Sequence, residues 1–300
     1  MELTKNTRIA VVMGGLSDER EISLQSGGLI ADALVKGGYT AVTKVDMGRD
    51  IDTVLRSLKP DVVFNALHGT WGEDGRIQGL LDIIGIPYTG SGVAASAVGM
   101  NKILTKMVMR RLGIPAADDR VVEAVSGMIA PMPYPFVFKD PENGSSKGVF
   151  IVRDQIGWRE ALAQTVGKRM LVEEYVKGRE ITVAVLGDTV LGDVEIVPAK
   201  EFYDYEAKYF DDHTRYVADP DYDPVVREAM RREALDLHRA LGCRGATRSD
   251  FIVTPSRHIM LEINTLPGMT GHSLVPMAAA RRGIDYLTLI ERLLEEALAA

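Results

Sequence analysis

The sequence predicts a chain of mixed α/β and α+β class: an N-terminal parallel-sheet domain followed by two α+β segments. Three observations predict it. Over residues 1–95, short apolar runs alternate with helical patterns, which calls for parallel strands joined by right-handed crossovers. Over 96–175, strand-like runs follow one another with Pro, Gly and Ser between them, the mark of an antiparallel sheet with helices on one side. Over 176–300, two strand-like runs separated by a short turn precede a closing amphipathic helix.

Residues 8–13 form the first predicted strand, with Ile9, Val11 and Val12 in a run that stops at Gly14-Gly15. A helix is predicted over 23–36, with Leu24, Ile30, Ala33 and Leu34 at helical spacing and Gly37-Gly38 as its stop. Strands at 40–45 and 61–66 enclose a short helix at 52–58. Residues 100–112 read as a helix studded with Lys and Arg, ended by Gly113-Ile114-Pro115. Pro131, Pro133 and Pro135 lead into a strand at 136–139, the loop 143–148 and a strand at 149–152. A helix at 158–165 and strands at 170–173 and 180–186 complete the middle. Thereafter come a helix over 224–240, strands at 250–253 and 258–263, and a helix from 285 with Leu287, Ile290, Leu293, Leu294 and Leu298 on one face.

The chain has 300 residues, is 46% hydrophobic and carries a net charge of −7. That balance argues against nucleic acid or an anionic membrane as the main partner, while leaving room for a local basic pocket. Cys243, the single cysteine, has no partner for an internal disulfide. The first residues lack the apolar core of a signal peptide, and no apolar run reaches the roughly 18 residues of a membrane span. The expected compartment is the cytoplasm.

Asp250, Glu262 and Asn264 are the most informative set. Asp250 opens one predicted strand, and Glu262 and Asn264 stand two apart on the next, so they share a face. The turn at 254–257 would bring Asp250 beside them. Three oxygen donors without His or Cys suit Mg²⁺ or Mn²⁺ shared with substrate phosphates; taken alone, Glu-x-Asn equally describes a solvated strand face. In the adjoining turn Asn-Thr-Leu-Pro-Gly-Met-Thr (264–270), Gly268 can offer a backbone N–H to a reacting oxyanion. Arg248 lies on the same side of its strand as Asp250, either for developing negative charge or as a surface arginine.

The loop Asn143-Gly144-Ser145-Ser146-Lys147-Gly148 can wrap a phosphate with backbone N–H groups and hydroxyls, or be a plain hairpin; it is not a Walker A loop. Lys102 and Lys139 are candidate phosphate cations. Glu173-Glu174-Tyr175-Val176 with Glu180 offers a strand edge able to read adenine and a carboxylate able to accept ribose hydroxyls, though an amphipathic strand has the same pattern. The aromatic stretch 202–209 reads as a lid that excludes water or as a structural loop. The segment from His68 to Gly75 follows the third strand, and Gly14-Gly15 to Glu19 follows the first, at the end where parallel sheets bind ligands. The absence of G-x-G-x-x-G makes a nicotinamide-dependent oxidoreductase a poor fit.

Six segments, in order, resemble the D-alanine–D-alanine ligase family almost end to end. They are 14–23 (Gly-Gly-Leu-Ser-Asp-Glu-Arg-Glu-Ile-Ser), Leu67-His68-Gly69 with Gly72-Glu73-Asp74-Gly75, 87–92 (Pro-Tyr-Thr-Gly-Ser-Gly), Gly144-Ser145-Ser146, 202–209 (Phe-Tyr-Asp-Tyr-Glu-Ala-Lys-Tyr) and 262–270. The resemblance implies a three-domain ATP-grasp fold, divided at 1–95, 96–175 and 176–300, with ATP as co-substrate between the second and third. It implies ligation of two D-alanines through an acyl phosphate, for peptidoglycan precursors. Two Mg²⁺ or Mn²⁺ ions would sit on Asp250, Glu262 and Asn264. Lys102, Lys139 and Ser146 would hold phosphates, and Glu173, Glu174, Val176 and Glu180 the adenine and ribose. Arg248 and the Gly268 N–H would stabilise the tetrahedral oxyanion. Glu19, tied to Ser145 and Tyr209, would take the ammonium of the first D-alanine, with His68 nearby; Lys208 would reach the phosphate from the lid and Ser273 the second substrate's carboxylate. The resemblance also implies a homodimer. The alternatives are a relative whose second substrate is D-lactate or D-serine, against which Tyr209 argues, and a nucleotide-binding protein without turnover. Asp140, Asn143 and Lys147 depart from the family's usual Pro, Glu and uncharged residue around the phosphate loop.

Overall fold

A computed structural model describes residues 1–144, 148–197 and 214–300. The apolar run Ile-Ala-Val-Val-Met forms β1 (Ile9–Met13), buried along its whole length, as the middle strand of a helix-covered parallel sheet should be. β2 (Val42–Asp46) and β3 (Val62–Asn65) flank it in the order β2-β1-β3, both parallel, with Val12 level with Val45 and Asn65. α1 (Arg20–Lys36) and α2 (Ile51–Leu58) make the crossovers. The first helix begins at Arg20 rather than 23, because its first turn carries polar residues and buried spacing starts only at Ile22. Two further helices, α3 (Arg76–Ile84) and α4 (Val93–Met100), were not evident in the sequence. α4 is Val-Ala-Ala-Ser-Ala-Val-Gly-Met, which has no polar face to create a helical period.

α5 (Lys102–Leu112) is capped by Asn101, whose side chain accepts from the N–H groups of Ile103 and Leu104, and it ends at Gly113. The next sheet is antiparallel: β4 (Asp119–Glu123), β7 (Arg169–Glu174), β5 (Phe136–Lys139) and β6 (Val149–Val152), in that spatial order. α6 (Gln155–Ala163) covers it by driving the fully buried Trp158 edge-on against Phe136 and Phe138. β4 was missed in the sequence because it is an edge strand of mostly exposed residues.

A five-stranded antiparallel sheet follows, in the order β10 (Arg215–Ala218), β9 (Thr189–Val197), β8 (Arg179–Leu186), β11 (Ala246–Val253) and β12 (His258–Asn264). Ile181, Val183, Val185, Phe251 and Val253 point to one face and pack on Met230, Ala234 and Leu237 of α7 (Pro224–Leu241). Period-two alternation therefore leaves Glu180, Thr182, Arg248 and Asp250 on the other face. β9 escapes a hydrophobicity reading because Asp193 and Glu195 interrupt it. Each is partnered: Arg231 donates two bonds of 2.9 Å to Asp193, and Arg179 two bonds of 2.7 and 2.8 Å to Glu195.

α8 (Leu274–Arg281) and α9 (Tyr286–Ala299) close the chain. α9 returns to the first sheet, where Leu289, Ile290, Leu293 and Leu294 share a core with Ile30, Leu34 and Phe64. This packing fixes the carboxyl ends of β1 and β3 beside the turn that leaves β12.

Candidate active site

A cleft of about 410 Å³ lies between the two antiparallel sheets. Val137 and Ile151 line it from one sheet, Ile252, Ile259 and Leu261 from the other. The segment Glu174-Tyr175-Val176 and Glu180 line it as well. β11 and β12 pair with Asp250 opposite Glu262 but Phe251 opposite Met260, so the register shifts and Leu261 is the extra residue. The bulge lets Ile259, Leu261 and Glu262 all line the cleft, which strict alternation forbids. Apolar side chains thus stand beside a polar group on one strand.

Glu173, on β7 opposite Val137, is 2% exposed. Lys139 Nζ pairs with its Oε2, and Lys106 Nζ is 2.7 Å from its Oε1. Burial pushes this carboxyl up, but the two lysines outweigh burial and hold it below its ordinary value. Lys102 Nζ donates to Asn143 O at 2.9 Å and lies 3.1 Å from Glu262 Oε2, so the start of α5, the loop after β5 and β12 meet at one cation. Arg257, in the turn between β11 and β12, donates to Glu174 Oε1 at 2.5 Å and joins the two sheets at the cleft.

On the polar face, Arg248 stands opposite Asn264 and Asp250 opposite Glu262. Thr182 donates to Asp250 Oδ1 at 2.5 Å, and an Arg248 guanidinium nitrogen is 3.3 Å from Asp250 Oδ2. Asn264 Oδ1 accepts from the Leu266 N–H at 2.9 Å, which starts the turn carrying Gly268. No cluster of three or more His, Cys, Asp or Glu suited to a metal occurs among the described residues. Two carboxylates and an amide oxygen nevertheless fit a hard dication that completes its shell with substrate phosphate and water.

A smaller cavity of about 90 Å³ adjoins the cleft, with Lys102 and Glu262 lining both. Glu19, His68, Arg248, Asn264, Gly268 and Ser273 are among the residues of its wall, as is Gly144. His68 sits in the turn after β3, with Nε2 3.2 Å from Ser26 Oγ and Nδ1 3.3 Å from Glu73 Oε1. Ser17 donates to the His68 carbonyl at 2.6 Å and accepts from the Glu19 N–H at 3.2 Å, so the two loops at the sheet's end are locked together. A Cβ on Gly144 would come within 3.2 Å of Glu19 Oε1, and one on Gly268 within 3.0 Å of Ser273 Oγ and 3.8 Å of His68. Ser273 Oγ in turn accepts from the Thr270 N–H at 2.8 Å.

Of the residues singled out in the sequence, Glu19, His68, Lys102, Arg248, Glu262, Asn264, Gly268 and Ser273 line the smaller cavity. Lys102, Lys139, Glu173, Glu174, Val176, Glu180, Asp250 and Glu262 line the larger. Ser145, Ser146, Lys147, Lys208 and Tyr209 lie outside the described residues. Lys106 and Thr182 touch this machinery without having been picked out, and Glu73, quoted only as part of the His68–Gly75 segment, proves to be the partner of His68. Lys106 was open to detection, since it stands four residues after Lys102 on one helix face. Thr182 was not, because only β-pairing brings it to Asp250.

A nucleotide-sized cleft between two antiparallel sheets, with lysines and paired carboxylates where it meets a second, polar cavity, defines an ATP-grasp ligase architecture. The family model described as "D-ala D-ala ligase C-terminus" matches residues 95–295, and "D-ala D-ala ligase N-terminus" matches 43–91. The chain is 47% identical to the D-alanine–D-alanine ligase of Chelativorans sp. (strain BNC1), with 98% of each chain covered. It is 48% identical to that of Acidiphilium cryptum, covering 97% of this chain and 98% of the relative. The Bacillus anthracis D-alanine–D-alanine ligase complexed with ATP superposes with a TM-score of 0.85 at 29% identity, covering 98% of each chain. The chain belongs to the D-alanine–D-alanine ligase family.

Proposed function

We propose that the chain joins two D-alanines at the expense of ATP, giving D-alanyl-D-alanine, ADP and phosphate. The observation that carries this reading is the meeting of the two cavities at Lys102 and Glu262. A nucleotide in the cleft would present its terminal phosphate there, and a small amino acid in the polar cavity would present its carboxylate to that phosphate.

The base lies between the apolar walls, with the Glu174–Val176 backbone and Glu173 reading its edge and Glu180 the ribose. Lys102, Lys139 and Ser146 hold the phosphates. Glu19 takes the ammonium of the first D-alanine, supported by Ser145 and Tyr209, with His68 beside it. The carboxylate of that substrate attacks the γ-phosphorus and ADP leaves. The amine of the second D-alanine then attacks the acyl carbon, loses a proton, and phosphate departs. Arg248 and the Gly268 N–H stabilise the oxyanion formed on that carbon, and Ser273 holds the second carboxylate. Lys208 would act on the phosphate. Asp250, Glu262 and Asn264 would hold two Mg²⁺ or Mn²⁺ ions, which would supply positive charge against the transferring phosphoryl group.

Domains divided at 1–95, 96–175 and 176–300, a homodimer and a cytoplasmic location for peptidoglycan precursor synthesis belong to the same proposal. No described helix is long and apolar enough to cross a membrane. Relatives that are D-alanine–D-alanine ligases over nearly their full length favour D-alanine over D-lactate or D-serine as second substrate. Incubation with ATP, Mg²⁺ and each candidate, with phosphate release and product mass as readouts, tests the choice: D-alanine should give the dipeptide mass, and a D-lactate or D-serine product formed in preference would reject it.

A further inference from the structure

Lys106 lies outside every motif of the sequence, yet it is among the most deeply buried charges of the molecule, at 1% exposure. Its Nζ is 2.7 Å from Glu173 Oε1, donates to Ala117 O at 3.3 Å and is 3.8 Å from Asp119 Oδ1. Asp119 is the cross-strand neighbour of Glu173 and is itself paired with Arg110. Lys139, from β5, pairs with the other Glu173 oxygen. Glu173 thus faces two lysines and the Arg110-held Asp119, with Glu180 in the same cleft.

Two cations on one carboxylate exceed what a static ion pair needs. Lys106 does not line the cleft, whereas Glu173 and Lys139 do, so Lys106 holds the Glu173 carboxylate from behind the base slot. An ionised carboxylate only accepts, so it suits the exocyclic amine of a 6-aminopurine and repels the carbonyl of a 6-oxopurine. That discrimination requires the group to stay anionic and fixed when Lys139 engages phosphate.

We propose that Lys106 is a positioning residue for the nucleobase, keeping the Glu173 carboxylate ionised and aimed into the cleft while Lys139 turns to the triphosphate, so that the cleft takes a 6-aminopurine and rejects a 6-oxopurine. This rests on the nucleotide reading of the cleft proposed above.

The test compares ATP with inosine triphosphate in the full chain with D-alanine and Mg²⁺. The wild type should prefer ATP by at least about 10²-fold in kcat/KM. Lys106→Met keeps the buried stem and removes the charge; it should lower that preference at least about tenfold, mainly by raising KM for ATP, with kcat within about threefold. Lys106→Arg should retain the preference. An unchanged preference in Lys106→Met overturns the proposal, even if both nucleotides bind more weakly, since loosened packing affects both alike. A wild-type preference near one overturns instead the reading of Glu173 as a base contact. Should Lys106→Met not fold, the wild type carries the test: the preference should be constant between about pH 5.5 and 7.5, and its collapse toward acid would overturn the proposal.

Discussion

Replacing Lys102 by Met is the sharpest perturbation of the junction between the two cavities. Lys102 is 8% exposed, and its side chain bridges Asn143 O at 2.9 Å and Glu262 Oε2 at 3.1 Å. Its ammonium is therefore in position before any phosphate arrives, and no ordering is required on binding. A hydrogen bond from a charged donor contributes about 1.5–3 kcal/mol. Loss of that bond and of the charge facing the phosphoryl group should remove about 2–4 kcal/mol of transition-state stabilisation, or about 30- to 1,000-fold in kcat/KM for ATP. The fold should survive, because Lys102 lies at the cleft and not in any of the apolar cores. The assay is phosphate release at varied ATP with saturating D-alanine, paired with a thermal melt. A melting temperature within about 10 °C of wild type with kcat/KM also within threefold would refute the reasoning.

Three further outcomes are expected. Asp250→Asn keeps the shape that Thr182 grips but halves the carboxylates of the proposed metal face, so turnover should fall by at least about 10³-fold with secondary structure unchanged; wild-type turnover would remove Asp250 from the chemistry. Gly72→Ala would place a Cβ 2.4 Å from Leu67 Cβ, in the turn whose Gly72 carbonyl accepts from both Asn65 and Gln78; a loss of about 1–3 kcal/mol by denaturant melts is expected, and an unchanged midpoint would show that the turn can relax. Burial pushes the Cys243 thiol up to about 11, so at pH 8 only about one thiol in a thousand is ionised, against roughly a quarter for an ordinary cysteine. Modification by an aromatic disulfide should therefore run on the order of 10²-fold slower than for a free thiol, and a rate equal to that of the free thiol would contradict the burial.

The parts of the fold that were legible in the sequence are those where one chemical pattern decides the outcome. β1 reads as a buried parallel strand because all five of its residues are apolar and buried, and α9 reads as amphipathic from its leucine spacing. The missed elements are those whose stability comes from partners far away in sequence. β9 carries Asp193 and Glu195, tolerated only because Arg231 and Arg179 meet them. β4 is an exposed edge, and α4 is made of small residues. The carboxylates and lysines of the two cavities could be picked out by type and spacing. Their second layer could not: the Leu261 bulge, the Thr182 contact and the Arg257–Glu174 link between sheets depend on register and turn geometry. Asp140 and Asn143, which depart from the usual loop pattern, prove to be partners, since Asn143 Nδ2 donates to Asp140 Oδ2 at 3.3 Å and Asp140 Oδ1 accepts from the Glu142 N–H at 2.9 Å. The two departures thus form one local brace ahead of the Gly-Ser-Ser loop.

The central claim is that the two adjoining cavities bring ATP and a D-amino acid together for acyl phosphorylation and amide formation. The most direct measurement is the reaction of the full chain with ATP, Mg²⁺ and D-alanine, followed by phosphate release and product mass, with L-alanine as control. One phosphate released per D-alanyl-D-alanine formed, and none with L-alanine, is the predicted result. Phosphate release indifferent to D-alanine, or no dipeptide of that mass, would contradict the account.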